Sequence, residues 1–263
     1  MIGTPFAQAL SPVHRIGHAT AEQAWNQAQL AQPVLEPRVG MWVVEKPAII
    51  FGCAQKAMHA GAVEAGRSTC DLIIRRAGGG AVLTGPWMLT VSVVLPLDDV
   101  RLKAGFIGLY RWFGELHARA LRQLEVPAEA ISPVRRDCLP ADPALDWACF
   151  GNLSPWELLA GGRKIVGLAQ FHGRNGVLLT SGTLLHRPDW RLLTDALGYP
   201  EAAGERLRGR TAACDEFNAA PRLADAIGGL LMASLGDGLD PGGGASCEAT
   251  IGHERARGAV PTV

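Results

Sequence analysis

The chain has 263 residues, 48% of them hydrophobic and 19% charged, and its 25 basic residues are balanced by 25 acidic ones. Such a chain can bury a large core as a soluble globular protein, and its neutral balance leaves no electrostatic footprint for nucleic acid or an anionic membrane. No window approaches the roughly 20 apolar residues of a membrane span, and the amino terminus lacks a charged segment followed by an apolar run, so the cytoplasm is the expected compartment. Cysteines at positions 53, 70, 138, 149, 214 and 247 form no CxxC pair and no His/Cys cluster, so neither a metal site nor a disulfide framework is expected.

Taken in order, residues 18–31 predict a helix with Thr20 as N-cap and Gln23 at its third position, ended by Pro33 and Pro37. Residues 38–44 and 48–52 predict two strands around a Glu45-Lys46-Pro47 turn, and 58–68 a short helix with glycine near its end. In 71–96, DLIIRRAGGGAVLTGPWMLTVSVVLP, an apolar strand runs into Arg75 and Arg76, then three glycines, then a long β-rich run. Two guanidinium groups beside a glycine turn can offer N–H donors to one anion or carbonyl. A strand follows the glycines, and the chain has neither GxxxxGK[ST] nor GxGxxG, which excludes mononucleotide and dinucleotide phosphate loops of those kinds.

Residues 102–126 predict a long amphipathic helix with Ile107, Tyr110, Phe113, Leu121 and Leu124 at helical spacing. His117 within it reads as a satisfied or surface histidine rather than a ligand. Residues 128–148, rich in Pro and Asp, predict a long loop, where substrate contacts concentrate. Residues 149–185 predict three strands joined by tight turns at Gly161-Gly162 and Arg174-Asn175-Gly176, because such turns require positive φ. Alternation would place Lys164, Val166, Leu168 and Gln170 on one face of the middle strand, with Ile165, Gly167 and Ala169 on the other. Lys164 is then either an edge-strand lysine in water or a covered one in need of an anionic or carbonyl partner. Residues 186–200 and 221–236 predict further helices, and 237–263 a disordered tail, which leaves residues 1–236 as one domain.

The block Arg75-Arg76-Ala77-Gly78-Gly79-Gly80-Ala81-Val82 resembles the RRxxGGGxV segment of the lipoate/biotin attachment family, which comprises lipoate–protein ligases, octanoyltransferases and biotin–protein ligases. Gly162-Arg163-Lys164-Ile165-Val166-Gly167-Leu168-Ala169-Gln170, followed by Gly182-Thr183-Leu184-Leu185, resembles its GRKIxGxAQ…GTLL block. Cys149-Phe150 with Pro155-Trp156-Glu157-Leu158 is most similar to the octanoyltransferases that carry the acyl group on a loop cysteine. Thr84 and Ser181 stand where the family commonly has histidine, and Leu168 where it has a small residue.

The resemblance implies an α+β fold: a central mixed, mainly antiparallel β-sheet carrying residues 72–96 and 156–185, with flanking helices. It implies Cys149 as nucleophile and Lys164 as its activator and oxyanion partner. Arg75, Arg76, Gly78, Gly79, Gly80, Val82, Gly167, Ala169, Gly182 and Thr183 would form the acyl site. Octanoate or lipoate is the implied transferred group, acyl carrier protein the donor, and lipoyl domains (glycine-cleavage H protein or dehydrogenase E2) the acceptors, with a monomer as the working expectation. A free thiol of pKa ~8.5 is mostly protonated at neutral pH, so a neighbouring ammonium would enrich the thiolate. Two alternatives stay open. One is an ATP- and Mg-dependent lipoate–protein ligase working through lipoyl-adenylate, with Cys149 idle; the other is a non-catalytic binder of acyl chains or carrier domains.

Overall fold

The computed structural model describes residues 13–236. A seven-stranded sheet forms the centre, in the order β1 (His14–Ile16), β2 (Arg38–Val44), β6 (Met88–Leu95), β10 (Val177–Leu184), β9 (Arg163–His172), β8 (Leu158–Ala160), β7 (Ala128–Ala130). All neighbours are antiparallel except β1 and β2. A second, three-stranded sheet has β3 (Ala48–Phe51) between β4 (Asp71–Ile74), parallel to it, and β5 (Val82–Thr84), antiparallel. The class is therefore the expected mixed, mainly antiparallel one. The expectation that residues 72–96 all join the central sheet is corrected, because β4 and β5 both pair with β3 and only β6 enters the large sheet. Nor do β4 and β5 pair with each other, so the glycine segment between them is a crossing rather than a hairpin turn.

Helices cover both faces. On one, α3 (Gly105–Gln123) and α6 (Leu223–Gly236) bury the apolar side of β2, β6, β9 and β10, in a core that includes Val91, Val93, Phe113, Val166, Leu179 and Ile227. On the other lie α1 (Thr20–Gln29) and the small sheet. A second core joins the small sheet to α2 (Lys56–Ala65), α4 (Arg191–Leu197) and α5 (Glu201–Arg210). With both faces covered, β6 reads as the unbroken run MLTVSVVL and every residue of it is buried. No helix among the described residues is long and apolar enough to cross a membrane.

Several local expectations change. Thr20 is the first helical residue of α1, and Ala19 stands before it without a side-chain cap, because helical backbone already begins at Ala19 (φ −63°, ψ −17°). The buried stripe of α3 runs through Leu109, Phe113, Leu116, Ala120 and Leu121, and Ile107 is 48% exposed, so the stripe is turned by two residues at its start. His117 on that stripe is fully buried and satisfied: Nδ1 lies 2.9 Å from the Phe113 carbonyl and Nε2 lies 2.8 Å from the Ser181 hydroxyl. Burial lowers its pKa to about 4, so it is neutral at pH 7. Residues 128–148 are not all loop, since Ala128–Ala130 pair with β8 and short 3-10 turns occupy Pro133–Cys138 and Pro143–Leu145. Both expected hairpin turns form, but only the first with the expected positive φ: Gly161 and Gly162 take 57° and 73° between β8 and β9, and Arg174-Asn175-Gly176 joins β9 to β10 without a residue at positive φ. The expected tail, 237–263, lies outside the described residues.

Candidate active site

The two motif blocks, eighty residues apart in sequence, meet at the cysteine loop. Cys149 N–H donates to the Ala81 carbonyl at 2.8 Å, and Ala81 N–H donates to the Trp147 carbonyl at 2.8 Å. Gly80 has to be glycine for this contact, because a Cβ there would stand 2.7 Å from both the Ala148 carbonyl carbon and the Cys149 nitrogen. Arg75 staples the glycine segment from beneath. Its guanidinium is nine-tenths buried and donates to the carbonyls of Ile50 (3.1 Å), Gly78 (2.7 Å) and Gly80 (2.9 Å). Its donors are thus largely spent on backbone, and the cation left at the rim is Arg76, exposed and 5.9 Å over the Phe171 ring. The far side of the loop is closed by Asn152, which accepts from Asp142 N–H at 2.7 Å, and by Arg210, which donates to the Gly151 carbonyl at 2.7 Å.

Lys164 is 1% exposed, so the reading of an edge lysine in water is ruled out. Its ammonium donates to the carbonyls of Cys149 at 2.5 Å and Asn152 at 2.9 Å and forms an ion pair with Glu157 Oε2 at 2.6 Å. Three N–H groups meet three acceptors, which is how a buried charge becomes tolerable. Glu157, equally buried, accepts from Ser154 N–H at 2.6 Å and Leu168 N–H at 3.0 Å. The expected face for Lys164 is corrected by a β-bulge. Leu159 stands opposite Lys164 but Leu158 stands opposite Val166, which leaves Ile165 as the extra residue. The bulge breaks the alternation and turns Lys164 to the side of Gly167, away from Val166, Leu168 and Gln170. A Cβ placed on Gly167 would lie 3.2 Å from Cys149 Sγ, 3.6 Å from Glu157 Oε1 and 3.7 Å from Lys164 Cε, so thiol, carboxylate and lysine stem gather over that glycine.

Glu157 is presented by a strained turn. Trp156 holds φ of 66°, costly for a bulky residue, and α3 crosses its carbonyl so tightly that Gly114 has no room for a Cβ. Tyr110, one turn earlier on α3, is pushed up to about 12, first by burial and then by the charges of Glu157 and Cys149, so it stays protonated at neutral pH.

From the thiol a pocket runs between the central sheet, α1 and the small sheet, with about 720 Å³ of empty space counting the part open to solvent. It collects Arg75, Arg76, Val82, Cys149, Gly167, Ala169 and Gly182 from the expected set. Gly80 instead backs the cysteine loop, Gly78 and Gly79 pass against Gly52, and Thr183 pairs with Val166 and Leu89 on the opposite, helix-covered face. Three contributors escaped the sequence reading. Glu157 sits in a quoted motif without an assigned role, and Glu22 with Asn26 on α1 carries no local signal at all.

Glu22 is 3% exposed, accepts from the Thr90 hydroxyl at 3.2 Å and has its pKa raised by burial from 4.5 to about 7. The unfolded carboxyl loses its proton near 4.5 and the folded one near 7, so stability falls as pH rises through that window, by about 3 kcal/mol in all. Glu22→Gln keeps the Thr90 bond and removes the titration. Urea unfolding at pH 5 and pH 8 is expected to show the variant gaining most of those ~3 kcal/mol at pH 8 and little at pH 5; equal gains would show that the carboxyl ionises normally.

Sequence comparison matches residues 18–212 to the lipoyl protein ligase A/B catalytic domain family. The chain is 35% identical to the octanoyltransferase LipM of Symbiobacterium thermophilum over 69% of this chain and 64% of that protein. It is 28% identical to the octanoyltransferase LipM of an Exiguobacterium species over 77% of this chain and 72% of that one. The chain thus spans just under two thirds of the first relative's length. Among solved structures, lipoate-protein ligase A bound with ATP superposes with a TM-score of 0.60 at 22% identity, covering 86% of this chain and 84% of that chain. The bi-partite lipoate protein ligase of Thermoplasma acidophilum superposes with a TM-score of 0.58 at 18% identity, covering 83% and 82%.

Proposed function

Because the chain belongs to the lipoyl protein ligase A/B catalytic domain family, we propose that it is an acyltransferase that moves an octanoyl or lipoyl group onto the acceptor lysine of a lipoyl domain through a thioester on Cys149. The observation that carries this reading is the placement of the Cys149 sulfur over bare Gly167 in the pocket, with the Lys164 ammonium bound to the Cys149 carbonyl. The names of the LipM relatives, octanoyltransferases, agree with it.

The chemistry is two acyl exchanges. The Cys149 thiolate attacks the carbonyl of an acyl thioester on a carrier protein; the new C–S bond forms, the carrier's C–S bond breaks, and the carrier thiolate leaves and takes up a proton. The amine of the acceptor lysine then attacks the acyl-enzyme, an amide forms, an amine proton is lost and the Cys149 thiolate is regenerated. One thioester replaces another in the first step, so no ATP is consumed. Lys164 acts by holding the cysteine loop, since its three N–H groups already have acceptors. Arg76 at the rim is the cation open to an incoming anionic carrier. We assign this activity to one catalytic domain over residues 1–236, in the cytoplasm, with acyl carrier protein as donor and a lipoyl domain as acceptor.

The ligase alternative asks Lys164 to release its carbonyl and carboxylate partners to hold a carboxylate and an adenylate phosphate, and it leaves Cys149 without a task. Intact-mass spectrometry separates the readings. The purified protein is incubated with octanoyl-acyl carrier protein and an apo lipoyl domain without ATP, then with octanoate or lipoate plus ATP and magnesium. The expected result is an acyl adduct on this protein and on the lipoyl domain in the first arm. Modification only in the second arm would make the protein a ligase, and none in either would make it a binder.

A further inference from the structure

Two buried polar atoms that line the acyl pocket have no hydrogen-bond partner among the described residues: Asn26 Oδ1 and Thr84 Oγ1. Asn26 is 4% exposed and Thr84 fully buried. A buried polar group left unpaired is costly, and native structures keep few of them without a reason. Beside them stands Glu22, one helical turn before Asn26 on the same face of α1, bonded to Thr90.

Two separate paths place this polar group at one depth below the thiol. In the central sheet Gly167 pairs with Gly182, and Gly182 with Thr90. That row spans two strand spacings, about 10 Å, from the glycine beneath the Cys149 sulfur to the threonine that holds Glu22. The Met88 thioether covers Gly182 and forms one wall of the pocket, so a chain that starts over Gly167 runs alongside Met88 toward Thr90. In the small sheet, Ala81 is tied to the cysteine loop and Thr84 stands three residues further along, again about 10 Å away. An extended octanoyl chain has that reach. A chain tethered at Cys149 therefore ends among Glu22, Asn26, Thr84 and Thr90, a set rich in acceptors.

We infer that the pocket prefers an acyl chain whose far end carries a hydrogen-bond donor, a hydroxyl or a thiol, over one that ends in a methyl group. Asn26 Oδ1 and the Glu22 carboxyl accept from such a terminus, and the Thr84 hydroxyl accepts from it or donates to it. A methyl terminus fills the same space and leaves Asn26 Oδ1 and Thr84 Oγ1 unpaired, which is how a site built for a polar group disfavours the analogue that lacks it. The inference rests on the acyl-pocket reading above and narrows its substrate class.

The test compares octanoyl-pantetheine with ω-hydroxyoctanoyl-pantetheine as donors to the full-length protein, following the Cys149 adduct by mass. The hydroxylated chain is expected to load on the order of tenfold faster or more, and Asn26→Leu combined with Thr84→Val to bring the ratio to one or below. Equal or faster loading of octanoyl on the wild type overturns the inference and leaves the transferase reading intact. Calorimetric titration of octanoate and ω-hydroxyoctanoate into the wild type makes the same comparison without transfer. If neither thioester loads but the hydroxy acid binds about tenfold tighter, the inference stands and the transferase reading falls; equal binding, or binding of neither, overturns the inference.

Discussion

Cys149→Ser is expected to abolish acyl transfer, by at least ~10³-fold in kcat/KM, while changing stability by less than about 1 kcal/mol. The two halves of that expectation have separate causes. The loop is held through its backbone: Cys149 N–H to Ala81, the Cys149 carbonyl to Lys164, Gly151 to Arg210. Serine keeps every one of those bonds and a similar volume. What it loses is the thiolate, because a hydroxyl stays protonated unless a general base is placed against it, and the groups gathered with the sulfur over Gly167 are a lysine stem and a carboxylate already accepting three donors. The measurements are octanoyl transfer to a lipoyl domain, the mass of the enzyme after exposure to donor, and thermal unfolding. A serine variant that still transfers, with no adduct on the wild type, would move the chemistry away from Cys149.

The largest structural loss is expected from Glu157→Gln. The carboxylate accepts from Ser154 N–H, Leu168 N–H and the Lys164 ammonium, and all of these are donors. An amide must turn its NH2 toward one set of them, so the substitution replaces attraction with a donor–donor clash and leaves the ammonium of a fully covered lysine without its counter-charge. Removing one member of a buried ion pair costs about 3–5 kcal/mol, which for a chain of this size lowers Tm by on the order of 10 °C. Glu157→Leu together with Lys164→Met removes both charges and is expected to recover much of that stability while transfer stays lost, because nothing then ties the Cys149 and Asn152 carbonyls together. The check is a double-mutant cycle in urea beside the transfer assay; additive losses would show that the pair is not coupled in the folded protein.

Much of the architecture was legible from local chemistry. Gly161-Gly162 announces a turn because few other residues accept the positive φ that both take, and Arg174-Asn175-Gly176 announces one by its turn-forming composition although none of the three takes a positive φ; both turns join paired strands. The run MLTVSVVL announces a strand covered on both faces. That the glycine block and the GRK block meet at Cys149 could be expected only from a resemblance, since nothing in the residues themselves says that Cys149 N–H donates to the Ala81 carbonyl. The two-sheet arrangement was not legible, because which strands pair is decided by contacts far apart in sequence, and β4 and β5 look alike as edge strands of either sheet.

The same division holds at the site. The sequence by itself determined the chemical inventory: one cysteine on a loop ahead of a lysine-bearing strand, two arginines leading into three glycines, and small residues at 167 and 182. Only the tertiary structure decided how that inventory is used. A single bulged residue, Ile165, moves Lys164 to the face of the thiol, and no period-two pattern can announce it, because a bulge is defined by the partner strand. Burial then sets the roles: Arg75 and Lys164 spend their donors on backbone carbonyls, and Glu157 and Glu22 become carboxyl groups inside the protein. Charge is written in the sequence, but the desolvation that gives a charge its partner and its pKa depends on what the folded chain packs around it.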